Sequence, residues 1–246
     1  MVSYLVNTID RFDLTPRVTV KNISTAGMHI RQRIITDNGS SDQRIKRWGG
    51  MFAHKHINNE TNIGNPQAIN NALSIATGDI IVIAGNDILL GANWLSEAIK
   101  VLNADPKVAL VGFGNSEGPD SEIGGVKVSR HPIGTTGTWV IRKTNFNQLG
   151  YFATFSKYGF WDGDYCNRLR ASGLKDVYIP HITSEHVGAD YGEDTEYRKM
   201  KDKEAKKAWP HIKELAGRYS KKAHYLNRDN KLVNTNGKVT RKRKRK

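Results

Sequence analysis

The chain has 246 residues, 38% of them hydrophobic and 25% charged, with a single cysteine, Cys166. That balance is ordinary for a globular protein and long enough for one sizeable core, which excludes global disorder, coiled coil and collagen. A lone cysteine excludes an internal disulfide framework and a multi-cysteine zinc site. Apolar runs such as residues 80–84 are far short of the roughly 20 residues a membrane helix needs. No signal-peptide pattern opens the chain, so a cytoplasmic, intracellular protein without a transmembrane segment is the expectation. The net charge of +14 is unevenly placed. Residues 1–192 hold 19 Lys or Arg against 17 Asp or Glu, a balance of +2, whereas residues 193–246 hold 19 against 7, a balance of +12. Two regions follow: a near-neutral body over 1–192 and a basic appendage over 193–246, ending in a Lys/Arg run that cannot bury itself.

In chain order, strand-like and helix-like segments alternate, which predicts an α/β sandwich. Val2 to Asn7 reads as a buried strand, followed by a helix capped by Asp13 or Thr15, with Pro16 in its first turn and a stop at Gly27. A second strand, Arg31 to Thr36, runs into Asp37-Asn38-Gly39-Ser40-Ser41-Asp42, a turn and then a helix N-cap. Asn65-Pro66 opens a helix through Ala76, closed by Gly78. Asp79 to Ala84 is a β-branched apolar strand suited to a sheet centre, with Gly85-Asn86-Asp87 at its end and a helix near Trp94 to Leu102 beyond. Val108 to Phe113 is a further strand, Gly114 to Arg130 reads as a long loop, and Thr138 to Arg142 resumes a strand. Asp162 to Ser172 forms a helix ended by Gly173, and Glu193 to about Lys222 is helical with a break expected at Pro210.

Acidic residues gather where strands end: Asp10, Asp37 and Asp87. In an open α/β sheet, ligands bind outside the carboxyl ends of the strands, so these side chains are candidates to line one crevice. The plainer account is that Asp and Asn populate such turns because they cap helices and tolerate awkward backbone angles. Three in successive units weigh against it.

The ordered motifs resemble the GT-A nucleotide-sugar glycosyltransferases, particularly the family-2 type. They are Ile9-Asp10-Arg11; Asp37-Asn38-Gly39-Ser40-Ser41-Asp42; Ala68-Ile69-Asn70-Asn71-Ala72 running on to Gly78-Asp79; Gly85-Asn86-Asp87 in place of an Asp-x-Asp; Trp161-Asp162-Gly163-Asp164 continuing to Arg168-Leu169; and His186-Val187-Gly188. The resemblance covers roughly residues 2 to 190. The resemblance implies a Rossmann-like, mixed but mostly parallel sheet sandwiched by helices, with the basic helical extension and tail appended. It implies a donor that is a nucleoside diphosphate sugar, UDP-linked by family frequency, and a divalent Mn²⁺ or Mg²⁺ ion to neutralise the leaving diphosphate. Asp87 and His186 become the metal ligands. Asp10 and Asp37 take the ribose and base, with Asn70, Asn86 and Arg168 on the same binding side. Asp162 becomes the general base and Asp164 its companion in the catalytic pair, which Arg168 would hold ionised. Inversion by a single displacement is likewise inherited from the family.

Two departures stand out. Gly85 replaces the first Asp of Asp-x-Asp, leaving the metal to Asp87, His186, diphosphate and water. Trp161 replaces an acid before the base, either as an aromatic platform for the acceptor or as a core residue. Cys166 is read as a buried packing residue and His181 as surface. The basic end, interleaved with Tyr197, Trp209, Tyr219 and Tyr225, suits a phosphate backbone, an anionic membrane surface or simple solvation. If nucleic acid is the partner, a hydroxylated base in DNA becomes a candidate acceptor. Three other readings stay open: a nucleic-acid-binding protein on a degenerate GT-A scaffold, a glycan- or lipid-directed transferase, and a nucleotidyltransferase. The last would carry a Gly-rich basic loop after the first strand, which Ile9-Asp10-Arg11-Phe12 is not.

Overall fold

A computed structural model describes residues 1–114, 118–129, 137–188, 196–219, 224–226 and 232–234. The elements in order are β1 (Val2–Thr8), α1 (Thr15–Ser24), β2 (Gln32–Asn38), α2 (Gln43–Phe52), β3 (Lys55–Asn59), α3 (Asn65–Ile75), β4 (Ile80–Ala84), β5 (Ile88–Leu90), α4 (Trp94–Ala104) and β6 (Val108–Phe113). They continue with β7 (Ser121–Ile123), β8 (Val126–Val128), β9 (Trp139–Arg142), α5 (Lys143–Leu149), α6 (Trp161–Ala171), β10 (Lys175–Ile179), β11 (Ser184–His186), α7 (Glu196–Tyr219), β12 (His224–Leu226) and β13 (Leu232–Asn234).

Seven strands form one sheet in the order β10-β6-β9-β4-β1-β2-β3, parallel throughout except β9, which runs antiparallel to both β4 and β6. This is the mixed, mostly parallel sheet the sequence led us to expect. Side chains alternate across it. Tyr4, Val6, Val82 and Ala84 join Trp94, Leu95 and Val101 of α4 on one face. Leu5, Ile81 and Ile83 join Ile69 and Leu73 of α3 and Tyr165 and Leu169 of α6 on the other. Burial on both faces is why the central strands read as continuous apolar runs. The order reverses between β1 and β4, which makes their carboxyl ends the topological switch point where such folds bind ligands.

Several elements depart from expectation. α1 begins after Leu14 with no side-chain cap; Asp13 instead faces Arg11 at 3.7 Å and the Thr15 hydroxyl bonds Thr8 at 2.8 Å. β3 was not foreseen, because Lys55-His56-Ile57-Asn58-Asn59 carries little apolar signal, as an edge strand permits. Inside the expected long loop lies the β7–β8 hairpin. Its turn residues Gly124 and Gly125 both have positive φ, and Val126 and Val128 are buried. α7 runs through Pro210 rather than breaking there. Contacts on either side, Ala208 buried at 2% and His211 stacked on Phe155 at 5.0 Å, hold the helix against the loss of one backbone bond. Among the described residues, no helix is long and apolar enough to cross a membrane.

Candidate active site

The loops after β1 and β2 are locked together. Asp10, at φ 47°, accepts through Oδ1 from Ser41 N at 2.7 Å, Ser41 Oγ at 2.9 Å and Asp42 N at 2.9 Å, while its own N–H donates to Ser40 Oγ at 2.9 Å. Asp42 caps α2, accepting from Arg44 N, and the Arg44 side chain holds its carboxyl below the usual range. Asp37 is fully buried at the end of β2. Its Oδ1 accepts from the Ser40 backbone at 3.0 Å and from the Ser40 hydroxyl, but its Oδ2 is buried with no hydrogen-bond partner. A buried carboxylate oxygen left unpaired carries its full desolvation cost.

Gly39 follows at φ +87°, and a Cβ there would lie 2.5 Å from the Thr61 carbonyl carbon. The turn therefore presses against the β3–α3 loop, which Asn38 fastens: its Oδ1 accepts from Asn59 Nδ2 and Ile63 N, and its Nδ2 donates to Asn62 Oδ1. The sequence reading missed this amide cluster, although the density of Asn at 58, 59, 62 and 65 was a usable signal.

The end of β4 reaches the same place. Asn86 Nδ2 donates to Thr15 Oγ1 at 3.4 Å, tying the turn to α1. β5 then pairs antiparallel with β11, in a register that sets His186 opposite Ile88, and Val187 N donates to the Asp87 carbonyl at 2.8 Å. The result is His186 Nδ1 3.6 Å from Asp87 Oδ2, the two side chains 45% and 15% exposed. Arg11 Nη2 reaches the Gly188 carbonyl at 3.5 Å, closing the loop after β1 onto the same turn. Among the described residues no cluster of three or more His, Cys, Asp or Glu could hold a metal. Asp87 and His186 supply one oxygen and one nitrogen donor, a fit for a Mn²⁺-type ion that takes its other ligands from substrate and water. Gly85 adds no third ligand, because a Cβ there would meet Ile88 Cγ1 at 2.6 Å and the Gly137 carbonyl at 2.9 Å.

α6 divides its acids. Asp162, at the first turn, is partly exposed, and Trp161 packs its ring 5.6 Å from Trp139 and 5.0 Å from Phe152. Trp139 pairs with Ile83 of β4, so the start of α6 stands beside the strand that leads to Asp87. Asp164 departs from its expected place next to Asp162. It is fully buried with Arg168, which meets Asp164 Oδ2 through Nε at 3.0 Å and Nη2 at 2.8 Å and the Leu149 carbonyl through Nη1 at 2.6 Å. The helical i, i+4 spacing points both inward, which puts Asp164 and Arg168 out of reach of a solvent-borne substrate in this arrangement. Asn70 is also committed: Nδ2 donates to the Phe152 carbonyl and Oδ1 accepts from Phe152 N. It fixes the chain ahead of α6. Cys166 is buried, and burial pushes its thiol up to about 12. His181 is exposed.

The family model for glycosyl transferase family 2 matches residues 30–163, more than half of the 246. The chain belongs to glycosyl transferase family 2. The matched stretch contains Asp37, Asn70, Asn86, Asp87 and Asp162, while Asp10, Asp164, Arg168, His186 and all of α7 lie outside it.

Solved structures of GT-A glycosyltransferases share the fold of this family 2 chain. GalNAc-T7 with UDP, GalNAc and Mn²⁺ superposes at a TM-score of 0.63 with 13% identity, covering 76% of this chain and 44% of that one. The mannosyltransferase PcManGT from Pyrobaculum calidifontis, in complex with GDP-Man and Mn²⁺, gives 0.60 with 19% identity, covering 89% and 73%. S. aureus TarS 1-349 gives 0.53 with 16% identity, covering 74% and 59%. The chain thus spans less than half of the first of these proteins. No curated protein sequence matches it.

Proposed function

We propose that this family 2 protein transfers a sugar from a nucleoside diphosphate sugar, UDP-linked, to a hydroxyl acceptor with inversion. The observation that carries the reading is the meeting of Asp87 and His186, 99 positions apart in the chain, at 3.6 Å and at the switch point of the sheet. The orphaned Oδ2 of Asp37 lies at the end of the neighbouring parallel unit. The presence of UDP with Mn²⁺ in GalNAc-T7, and of GDP-Man with Mn²⁺ in PcManGT, is in keeping with it.

In this reading Asp37 accepts a hydrogen bond from the nucleobase, and Asp10 and Asn86 set the turns around the ribose and diphosphate. Asp87 and His186 hold a divalent cation, which when bound supplies positive charge to the leaving diphosphate. Asp162 takes the proton of the acceptor hydroxyl as its oxygen attacks the anomeric carbon; the bond from that carbon to the diphosphate oxygen breaks, and the diphosphate departs with the electron pair. Attack from the face opposite the leaving group inverts the centre. Asp164, Arg168 and Asn70 serve as the frame that fixes α6 and the segment before it. Trp161, partly exposed at the helix start, forms one wall of the acceptor side.

The acceptor has a second reading, favoured by one feature. Lys199, Lys203, Lys206 and Lys207 lie along one open face of α7 with Asp202 among them, and Lys207 also pairs with Glu204. Such a row attracts a polyanion by counterion release, which suits an acceptor base carried in DNA and turned out of the stack. Residues 193–246 would then form a nucleic-acid-directed appendage to a catalytic body over 1–192. A chain with Lys199, Lys203, Lys206 and Lys207 all changed to Ala that binds and modifies DNA as well as the intact chain removes this option.

The donor site is tested by calorimetric titration of UDP and GDP with and without Mn²⁺. Binding is expected to require Mn²⁺ and to be lost in Asp37→Ala and Asp87→Ala. Absence of binding by any nucleoside diphosphate overturns the reading.

A further inference from the structure

α7 lies outside the region that the family model matches, yet it touches the site's frame at two places that lead in different directions. The first is polar. Glu204, only 12% exposed, accepts from Lys157 N at 2.9 Å through Oε2 and pairs with Lys207 through Oε1, which keeps its carboxyl below the usual range. Lys157 in turn donates its Nζ to the Asn62 carbonyl at 2.8 Å and accepts at its own carbonyl from Asn65 N at 2.9 Å. Its Cα sits so close that a Cβ on Gly64 would be 2.8 Å away. Asn62 bonds Asn38 at 3.1 Å and Tyr158 Oη at 2.8 Å, and Asn38 directly follows Asp37. A continuous chain of hydrogen bonds therefore runs from α7 to the turn beside the unpaired Asp37 oxygen.

The second contact is aromatic. Trp209 packs its ring 5.1 Å from Phe160, and His211 stacks on Phe155 at 5.0 Å. Phe160 is held at φ 58°, a left-handed conformation that a non-glycine residue keeps only when its surroundings insist. Its carbonyl accepts from Asp164 N at 2.9 Å, so it sets the first turn of α6 on which Asp162 stands. Trp209, 53% exposed, is the aromatic neighbour of this strained residue.

We propose that α7 is a two-point brace, in which Glu204 positions the nucleoside side of the cleft through Lys157 and Asn62, and Trp209 positions Asp162 through Phe160. The assignment rests on the donor-site and general-base reading above. Both are positioning residues that touch no substrate. The two arms make separable predictions, because each ends at a different partner of the reaction.

The test uses the full chain with Glu204→Ala, Glu204→Gln, Trp209→Ala and Trp209→Phe. UDP affinity with Mn²⁺ is read by calorimetry, turnover by UDP-sugar hydrolysis, and backbone opening by amide hydrogen exchange. Glu204→Ala is expected to weaken UDP about tenfold with kcat nearly unchanged, the fold-change of roughly one lost hydrogen bond. Glu204→Gln, whose amide oxygen still accepts from Lys157 N, restores it. Trp209→Ala is expected to lower kcat about tenfold with UDP affinity unchanged, and Trp209→Phe to recover most of it. Exchange should quicken at Lys157, Ile63 and Gly64 in the first case, and at Trp161 and Asp164 in the second. Equal losses of affinity and kcat in both alanine variants, or no loss in either, overturn the brace. If the parent chain takes no nucleoside diphosphate, the donor reading falls instead. The exchange pattern then decides alone: selective opening sustains the brace and uniform opening refutes it.

Discussion

Gly85 stands where the family resemblance places a carboxylate, and its surroundings state the reason: Ile88 and the Gly137 carbonyl fill the space a side chain would need. Gly85→Asp is therefore expected to destabilise the protein by about 1–3 kcal/mol through overpacking and to gain no cation affinity. Thermal unfolding with and without Mn²⁺ checks both halves. The two acids of α6 should separate just as cleanly. On the proposed mechanism, Asp162→Asn is expected to cut kcat by about 10²–10⁴-fold, the effect of losing a general base, while leaving UDP binding and stability unchanged. Asp164→Ala strands Arg168 as an uncompensated buried charge and should cost about 3–5 kcal/mol of stability. Urea unfolding beside steady-state rates distinguishes them. Cys166, with its thiol pushed up to about 12 by burial, should resist thiol reagents at pH 8 in the native state and react once denaturant is added.

At the scale of elements, the edge of the sheet carries a pH dependence. His56 on β3 lies under α2, its Nε2 buried without a partner and so near Gly49 that a Cβ there would be 2.4 Å away. Burial holds its imidazole below the ordinary 6.5, against a smaller opposite pull from Asp37. His54 is held low as well, first by burial and then by Arg33, and its Nδ1 accepts from Arg33 N at 3.0 Å. Both are neutral in the folded protein over a range where the unfolded chain binds protons. Stability should therefore fall as pH drops below about 6.5 and level off beneath the folded-state values. Urea unfolding at pH 5.5 and 7.5 reads this slope, and His56→Gln should flatten part of it. The register of the short β5–β11 pair, with the Val187 N to Asp87 carbonyl bond, sets His186 beside Asp87.

For the whole molecule, charge and topology act separately. The near-neutral body is built around apolar strands, and 19 basic residues lie beyond residue 192. Those residues make any polyanion affinity strongly dependent on salt. If the α7 lysine row binds DNA, affinity should fall by orders of magnitude between 50 and 200 mM salt. A flat salt response in a filter-binding assay rules that partner out.

The sequence alone determined the alternation of strands and helices, the central strands β1, β4 and β6, the proline-opened helix α3, the Asp37–Asp42 turn and the family resemblance. Each depends on local patterns of burial, caps and turn residues that neighbours in the chain suffice to set. Only the tertiary structure decided that Asp164 turns into the core with Arg168 while Asp162 stays at the surface. It alone spent Asn70 on the Phe152 backbone, formed the polar edge strand β3 and carried α7 intact through Pro210. These outcomes come from contacts between residues tens of positions apart, whose free energies no local pattern encodes. A carboxylate has the same letter whether it faces a guanidinium in the core or stands partly exposed at a helix start.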